Sequence, residues 1–456
     1  MTHKQFIILS SALTLALLLG LALIHLFAQS SELAWTAAIT LFTVIMWVTE
    51  AIPIPAASLI PFALFPFAGV LTHKQVSAAL GSHVILLLMG GFMLSKSLEK
   101  SGVHRRLAIY MVRLVGVNNG RCVVIGFMFA AAILSMWISN TATTLILLPI
   151  ALAALQGIDD ETMATALMLG IAYAASLGGI GTPIGTPPNV IFMSIYQEAT
   201  GKEVDFITWM QTGVPIVIIG IPLMALWLTR KVSLTQHFVL PELGAWRPAE
   251  KRVLIVFGLV ALTWVTRKLW SDWLGLTGVG DSTIALLGVV LMFMIPNGEK
   301  HGTLLDWETA SDIPWGMLLL FAGGIAIAKA FIASGLSDKM AGMLTSLSSL
   351  PVFVLILCIC LFVTFLTEFT SNTATATLLM PILATAGVAA GVDPQILMMP
   401  AAISASCAFM MPVATAPNAI VYGANKFHIK DMAREGFVLN IMLAFIISGV
   451  CYITLG

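Results

Sequence analysis

The sequence has 456 residues, of which 59% are hydrophobic and 10% are charged, and its formal net charge at pH 7 is zero. A soluble domain carries about 25% charged residues, so this composition excludes a water-soluble globular protein and indicates a chain that spans a lipid bilayer. The balanced charge and the lack of a basic tail argue against nucleic acid as a partner. The five cysteines lie in apolar runs without Cys-x-x-Cys spacing, so we interpret them as buried residues rather than metal ligands or disulfides.

Apolar segments long enough to enter or cross a bilayer follow one another along the chain. They cover residues 5–27, 35–50, 54–71, 84–101, 121–156, 162–199, 212–229, 251–269, 281–296, 314–332, 351–390, 395–424 and 435–455. We interpret the first as a retained membrane span, because it is longer than the 7–15-residue apolar core of a cleaved signal peptide.

Four of these segments are interrupted near their centres. Segments 121–156 and 351–390 hold the tripeptides Ser139-Asn140-Thr141 and Ser371-Asn372-Thr373. Each has room for two short helices that enter the membrane and turn back, which predicts a re-entrant hairpin with the tripeptide at its tip. Segments 162–199 and 395–424 are broken by Gly and Pro. Because broken backbone survives in a membrane only inside protein or along a cavity, these interruptions indicate a functional site.

An internal repeat relates the two halves of the chain. The pentapeptide 139–143 recurs 232 residues later as 371–375, Gly90-Gly91 recurs as Gly323-Gly324, and Pro188-Asn189 recurs as Pro417-Asn418. If the hairpins do not cross the membrane, eleven spans remain, with the first outside the repeat and five in each half. An odd number of crossings inverts the second half, and inverted repeats with broken helices are typical of secondary transporters.

We therefore predict an all-α polytopic membrane protein with eleven transmembrane helices and two re-entrant hairpins. Residues 1–30 form the first transmembrane helix. Residues 31–232 form the first inverted repeat with the hairpin 121–156. A linker covers 233–250, and residues 251–456 form the second inverted repeat with the hairpin 351–390.

Loop charges predict the orientation in the membrane. With the N-terminus in the cytoplasm, most Lys and Arg residues face inside, including Arg105, Arg106, Arg247 and Lys251, as the positive-inside rule requires. Counting the hairpins as crossings would move Arg247 and Lys251 outside. We expect a multi-pass protein of the cell inner membrane with Gly456 outside.

The Ser-Asn-Thr tips combine two kinds of binding group. A half-helix that begins at a tip presents free backbone N–H groups and a positive dipole end, which attract an anion without any cationic side chain. The hydroxyl, amide and freed carbonyl oxygens of the same segment can hold sodium. Two tips could therefore clamp both ends of a dicarboxylate, each beside a cation.

Simpler interpretations exist for each of these features. Ser, Thr and Asn in membrane helices often only join helices together, and the Pro-Asn pairs could be ordinary kinks. Glu368 is a rare ionisable residue within an apolar run, which suggests function. Its counterpart in the repeat is Met136, so a structural, hydrogen-bonded carboxylate is an equally good interpretation.

Three motifs give the chain a family resemblance. Thr49-Glu50-Ala51-Ile52-Pro53, the two Ser-Asn-Thr tips and the stretch 406–419 (SCAFMMPVATAPNA) resemble the divalent anion/sodium symporters, which include the bacterial sodium/dicarboxylate transporters. The resemblance covers essentially the whole chain. It implies a homodimer with an elevator mechanism, in which the first spans of each half form a scaffold and the hairpins and broken helices move.

The resemblance also implies site residues. The first sodium site would use Ser135, Ser139, Asn140 and Gly185, with Gly181 as an alternative to Gly185. The second would use Thr367, Thr370, Asn372 and Ala414. The substrate would contact Ser139, Asn140, Thr141, Ser371, Asn372, Thr373 and Thr415.

The expected function is secondary active import of C4-dicarboxylates (succinate, malate, fumarate) with sodium, without any cofactor other than the coupling ion. The expected partners are the dicarboxylate, sodium ions, the lipid bilayer and a second copy of the chain. Alternatives are a sodium-independent dicarboxylate exchanger and a carrier of sulfate or tricarboxylate. An enzyme is not expected, because His-Glu-x-x-His and Gly-x-Ser-x-Gly motifs are absent from the sequence.

Overall fold

The computed structural model describes residues 11, 14–15 and 31–455, apart from 159, 233–237, 239, 300–301, 337–338, 340–350 and 390. The predicted first transmembrane helix lies almost wholly outside the described residues, as do Gly456 and part of the predicted linker. The described chain is helical, with one isolated β-bridge between Pro296 and Thr303.

Between residue 31 and the linker, the structure describes eleven helices. They are α1 (Ser31–Thr49), α2 (Ile54–Ala57), α3 (Ile60–Phe67), α4 (His73–Leu80), α5 (His83–Ser101), α6 (Val103–Val115), α7 (Gly120–Ser135), α8 (Asn140–Ala154), α9 (Glu161–Gly178), α10 (Pro187–Thr200) and α11 (Phe206–Thr229). Local chemistry sets several boundaries. Asn119, Asp160 and Asp205 each accept a hydrogen bond from a first-turn backbone N–H, and Gly201 ends α10 with a positive φ.

Ten helices follow the linker in the described residues. They are α12 (Pro248–Val265), α13 (Arg267–Leu274), α14 (Asp281–Met294), α15 (Trp307–Ser311), α16 (Trp315–Ala333), α17 (Val352–Thr367), α18 (Asn372–Ala389), α19 (Gln395–Ala405), α20 (Ala416–Gly423) and α21 (Ile429–Leu455).

In the part of the chain that the structure describes, six stretches of helix are long and apolar enough to cross a bilayer. They are Ser31–Thr49, His73–Ser101, Glu161–Gly181, Phe206–Thr229, Trp315–Ala333 and Ile429–Leu455. The pair α12 and α13, bent by 74°, could form a seventh. The chain is thus a multi-pass membrane protein. Other predicted spans correspond to shorter apolar helices such as Asp281–Met294, so the number eleven stays a prediction.

The helices pack in two groups. In the first, here called the frame (α1–α5 and α12–α16), α5 packs against α12 and α14, and α16 packs against α3 and α4. In the second, here called the hairpin bundle (α7–α11 and α17–α21), α9 packs against α7, α8 and α11, and α21 packs against α11, α17 and α19. Helix α6 connects the frame to the bundle.

The repeated glycine pairs lie where the two groups meet. A Cβ on the first glycine of each pair would contact the frame, where Gly90 faces Ala285 and Gly323 faces Ser58. A Cβ on the second glycine would contact the bundle, where Gly91 faces Ile184 and Gly324 faces Thr377. All four distances are 3.1 Å or shorter. Helices α5 and α16 therefore contact a neighbour closely on two sides, which glycine permits.

Candidate functional site: two matched helix tips

The first tip separates α7 from α8. Ser139 is the N-cap of α8, and its hydroxyl accepts a hydrogen bond from the backbone N–H of Ala142 at 3.2 Å. Ser139 is exposed, while Asn140 and Thr141 are half-buried. The tip thus presents the start of a helix, with its free N–H groups, toward accessible space.

Oxygen atoms surround the side chain of Asn140. Its Oδ1 lies 2.5 Å from the hydroxyl of buried Ser135. Rotating the amide by half a turn would place its nitrogen 3.2 Å from the carbonyl oxygen of Ala175 and 3.3 Å from that of Gly185. The Oδ1 position is therefore lined by one hydroxyl and two carbonyl oxygens. Either the rotated amide or a bound cation would relieve the repulsion among these oxygens, and a set of neutral oxygens suits sodium.

Glycines allow the backbone to approach this tip. A Cβ on Gly179 would lie 2.6 Å from the Asn140 Oδ1, and a Cβ on Gly185 would overlap the carbonyl oxygen of Gly179. A Cβ on Gly181 would instead meet the end of the Met136 side chain. Of the two glycines left open by the sequence, Gly185 is the one that borders Asn140.

The second tip, between α17 and α18, repeats the arrangement of the first. Thr367 Oγ1 lies 2.9 Å from the Asn372 Oδ1 and 3.1 Å from the carbonyl oxygen of Ala405. Thr367 and Asn372 are the repeat counterparts of Ser135 and Asn140, and Ala405 lies one residue after Ser404, the position that corresponds to Ala175. The counterpart of Gly185 is Ala414, which is buried and can offer only its carbonyl oxygen.

One predicted cation ligand has its hydroxyl engaged elsewhere. Thr370 Oγ1 lies 3.0 Å from the carbonyl oxygen of Leu366 and 2.6 Å from the hydroxyl of Thr375. A contribution of Thr370 to a cation site would therefore come from its main-chain carbonyl.

The Pro-Asn pairs hold the two breaks in shape. The amide nitrogen of Asn189 donates to the carbonyl oxygens of Gly179 and Thr182, at 3.0 and 2.8 Å. Asn418 donates in the same way to Ala408 and Met411, at 2.9 and 3.0 Å. Each Asn thus satisfies carbonyl groups that the broken helix leaves without intrahelical partners. Both side chains are fully buried, which indicates a positioning role rather than direct contact with substrate.

Glu368 stabilises only the second break, because its repeat counterpart beside the first break is Met136. Its carboxylate accepts hydrogen bonds from the backbone N–H groups of Phe409, Met410 and Met411, at 2.7, 2.9 and 3.0 Å. It also accepts one from the side chain of Asn440 at 2.7 Å. Four donors replace the water that a buried carboxylate loses, so Glu368 is a hydrogen-bonded carboxylate beside the second tip.

Crosswise packing brings the two halves of the site together. Helix α20, which follows the second break, packs against α8 of the first predicted hairpin, and α10 packs against α18 of the second. Contacts also join the two breaks directly. The hydroxyl of Tyr173 donates to the carbonyl oxygen of Phe409 at 2.6 Å, and Thr186 Oγ1 lies 3.4 Å from Ser406 Oγ.

The remaining predicted substrate residues lie at these tips. Ser371 is exposed, and Asn372, Thr373 and Thr415 are half-buried. The hydroxyl of Thr415 accepts a hydrogen bond from the backbone N–H of Asn418 at 3.2 Å and so caps α20. Lys and Arg are absent from the tips and breaks, so an anion here would meet neutral donors and helix N-termini.

Two contributors escaped prediction from the sequence, namely the carbonyl oxygens of Ala175 and Ala405. Both belong to the last turn of a helix that ends inside an apolar segment, where carbonyl groups can lose their intrahelical partners, although the Ala175 carbonyl still accepts the N–H of Gly179. This signal is present in the sequence but does not select one residue of the turn. Within the described residues, no group of three His, Cys, Asp or Glu side chains could hold a metal ion.

Comparison with known proteins identifies the family. The family model described as "Sodium:sulfate symporter transmembrane region" matches residues 5–453. The sodium-dependent dicarboxylate transporter SdcS of Staphylococcus saprophyticus is 42% identical over 450 residues, which cover 93% of this chain and 86% of that protein. SdcS of Staphylococcus aureus is 40% identical over 458 residues, covering 94% and 88%.

Two solved structures share the fold at low identity. The Alcanivorax borkumensis YdaH transporter matches with a TM-score of 0.53 and 14% identity, covering 80% of this chain and 84% of that one. Neisseria gonorrhoeae MtrF matches with a TM-score of 0.58 and 15% identity, covering 83% of each. The family match spans nearly the whole sequence and confirms the resemblance based on the tips and the 406–419 stretch. The chain therefore belongs to the sodium:sulfate symporter family, alongside the bacterial sodium/dicarboxylate transporters.

Proposed function

We propose that the protein is a secondary active transporter that imports C4-dicarboxylates such as succinate, malate and fumarate together with sodium. The observation that carries this proposal is the pair of matched tips, at Asn140 and Asn372. Each combines an oxygen-lined cluster with the start of a helix. The names of the relatives, sodium-dependent dicarboxylate transporters, point to the same chemistry.

Sodium would bind among the oxygens on the inner side of each tip. The first site uses Ser135, Asn140 and Gly185, with Ser139 at its edge. The second uses Thr367, Asn372 and the main-chain carbonyls of Thr370 and Ala414. In both, neutral oxygens from a broken helix surround the cation, as in other transporters with discontinuous helices.

The dicarboxylate would bind between the tips. One carboxylate contacts Ser139, Asn140 and Thr141, and the other contacts Ser371, Asn372 and Thr373, with Thr415 beside them. Because no permanent cation compensates the anion, bound sodium supplies the positive charge, and substrate affinity depends on the ion. This dependence couples the two fluxes, and by linkage the coupling is reciprocal.

Transport would follow an elevator mechanism in a homodimer of eleven-span protomers in the cell inner membrane. The hairpin bundle moves past the frame, with the N-terminus in the cytoplasm and the C-terminus outside. Ion pairs are consistent with this orientation, since Lys100–Asp306 and Arg230–Glu435 join groups predicted inside, and Lys202–Asp393 joins groups predicted outside.

Uptake of labelled succinate into proteoliposomes, with and without an inward sodium gradient, tests the proposal. We expect uptake to rise sigmoidally with sodium. Uptake in sodium-free choline buffer that requires internal dicarboxylate would instead establish an exchanger. The description of the family also names sulfate, so excess sulfate or citrate should be included as a competitor. Inhibition by sulfate stronger than by unlabelled succinate would identify a sulfate carrier.

A further inference from the structure

Ion pairs connect the hairpin bundle to the frame through one short segment. Among ion pairs with both partners described, four run directly between the two groups, and all four end on carboxylates within residues 198–205. Lys329 pairs with Glu198 at 3.2 Å, Arg267 with Glu203 at 3.3 Å, Arg267 with Asp205 at 3.6 Å, and Lys268 with Asp205 at 2.8 Å. The cations belong to the frame and the carboxylates to the bundle.

The centre of this cluster is withdrawn from solvent. The side chains of Asp205 and Arg267 are only 5% and 14% exposed. Asp281 of the frame pairs with Arg267 at 2.8 Å and accepts a hydrogen bond from the backbone N–H of Phe206 at 2.8 Å. Burial alone would raise the pKa of Asp205, but hydrogen bonds from Lys268 and Thr208 outweigh it and hold the pKa below its ordinary value. The carboxylate is therefore charged at neutral pH.

The repeat shows that this connection is not a general feature of the fold. Lys96 is the counterpart of Lys329, but it pairs with Asp312 at 2.8 Å and so stays within the frame. Lys202 lies inside the 198–205 segment, yet it pairs with Asp393 at 3.0 Å within the bundle. The direct frame-to-bundle pairs described here lie at one end of the molecule, which the loop charges predict to be the outer end.

The two halves of the site differ in how the frame covers them. In the first half, Trp137 packs against Phe257 of the frame with ring centroids 5.3 Å apart, and Ile184 is only 7% exposed. Their repeat counterparts Phe369 and Val413 are 78% and 80% exposed.

The helices that follow the two breaks also differ in exposure, the first being the more buried. Helix α10, which leads toward the predicted outer end, is buried over most of its length, while α20, which leads toward the cytoplasmic end, exposes Ala416, Ala419 and Tyr422. In this structure the frame thus covers the first half of the site, while the second half and α20, on the predicted cytoplasmic side, are exposed.

From these observations we propose that Glu198, Glu203 and Asp205, together with Lys329, Arg267 and Lys268, form an ionic latch that holds the hairpin bundle against the frame in the cytoplasm-open state. The inference rests on the proposed elevator movement. Displacing the bundle along the frame separates each of these pairs, so the latch must open before the site can face outward. It therefore sets the balance between the two states without contacting sodium or substrate.

Neutralising one latch cation tests the inference. Lys268→Gln removes a single pair at a side chain that is 64% exposed, and Lys202→Gln is a matched control, since Lys202 is 68% exposed and pairs within the bundle. Ile184→Cys, in a background without other cysteines, reports the outward-facing state, because this buried position reacts with an impermeant outside reagent only when the site opens outward. An exposed ion pair contributes up to about 1 kcal/mol, so Lys268→Gln should raise the labelling rate about two- to fivefold. Lys202→Gln should leave it unchanged.

A cross-link supplies the complementary measurement. Because Lys and Glu reach further than Cys, the paired cysteines need a bridge longer than a direct disulfide. A short bifunctional methanethiosulfonate should join Glu198→Cys to Lys329→Cys, and so the bundle to the frame, while it should join Lys202→Cys to Asp393→Cys within the bundle. The cross-linked fraction is measured by gel mobility after cleavage at a protease site placed in the 233–250 segment, between the two cysteines of each pair. Uptake should fall in proportion to that fraction for the first pair only, and a reductant should restore it. Uptake before cross-linking tests the proposed function separately. The latch is refuted if the cross-linked first pair transports normally, or if Ile184→Cys is labelled at equal rates in the Lys268→Gln and Lys202→Gln backgrounds.

Discussion

Replacing Gly185 with Ala tests the proposed first sodium site at the position where main-chain atoms leave the least room for a side chain. The added Cβ would overlap the carbonyl oxygen of Gly179 and would lie 2.8 Å from the Gly179 Cα and 2.9 Å from the carbonyl oxygen of Ser135. All three neighbours are main-chain atoms, so the break itself has to shift. The carbonyl of residue 185 then moves away from the Asn140 amide, which it approaches to 3.3 Å in the structure with the amide rotated.

The cost can be estimated from overpacking in well-packed interiors, which destabilises by about 1–3 kcal/mol. If bound sodium requires the undistorted break, that cost appears as a loss of sodium affinity of about 5- to 150-fold at 1.4 kcal/mol per decade. We expect the sodium concentration for half-maximal succinate uptake to rise accordingly. Sodium should also protect the purified variant less against thermal unfolding, because a ligand stabilises only as far as it binds.

Two control variants make the result specific. Gly181→Ala introduces a Cβ 2.7 Å from the terminal methyl of Met136, a flexible group that can move aside, so sodium dependence should change little. Ala414→Gly removes a Cβ from the second break and should not crowd that site. Wild-type sodium dependence in Gly185→Ala together with a loss in Gly181→Ala would refute the placement of the first cation beside Gly185.

Three further predictions concern the tips and the topology. Asn140→Ala and Asn372→Ala each remove an amide that serves both ligands, so binding titrations should show succinate and sodium affinities falling together by about 10- to 150-fold; a loss for Asn140→Ala alone would indicate a one-sided site. Glu368→Gln keeps one of the two acceptor oxygens, so it should lower the unfolding temperature but reduce uptake less than either Asn variant, and abolished uptake in a folded protein would contradict this. A cysteine at position 247 should react with an impermeant reagent only from the cytoplasmic side, and labelling from outside would reject the inverted-repeat topology.

The sequence predicted the parts of the site that depend on local chemistry. Ser139 and Asn140 begin a helix in the structure, because Ser is a favourable N-cap and its hydroxyl satisfies a first-turn N–H. The helix breaks at 182–186 and 406–415 fall in stretches that hold Gly or Pro, which disfavour a continuous helix. These features follow from residue identity within a few positions, and so does the all-helical, multi-pass architecture.

Features that depend on packing between distant segments were not predictable. Nothing local in the sequence pairs the carbonyl of Ala175 with Asn140, because the contact arises from how α9 packs against α8. The same holds for Glu368, which the sequence could only mark as unusual. Its partners at Phe409 and Asn440 lie 41 and 72 residues away. Covariation between such positions would be needed to detect these contacts in advance.

The difference in exposure between the two tips bears on how one site could be reached from two sides. Trp137 and Phe369 occupy equivalent positions of the repeat, but the frame covers the first and leaves the second open. Both tips belong to the same bundle and are joined by the crosswise packing of α8 with α20 and of α10 with α18, so in the proposed elevator movement they would be displaced together. A displacement of the bundle that uncovers Trp137 would cover Phe369, without any change in the oxygens around Asn140 and Asn372. The site could then keep its ligands while its access changes, and the energy that resists the displacement would come from the frame contacts, including the ionic latch.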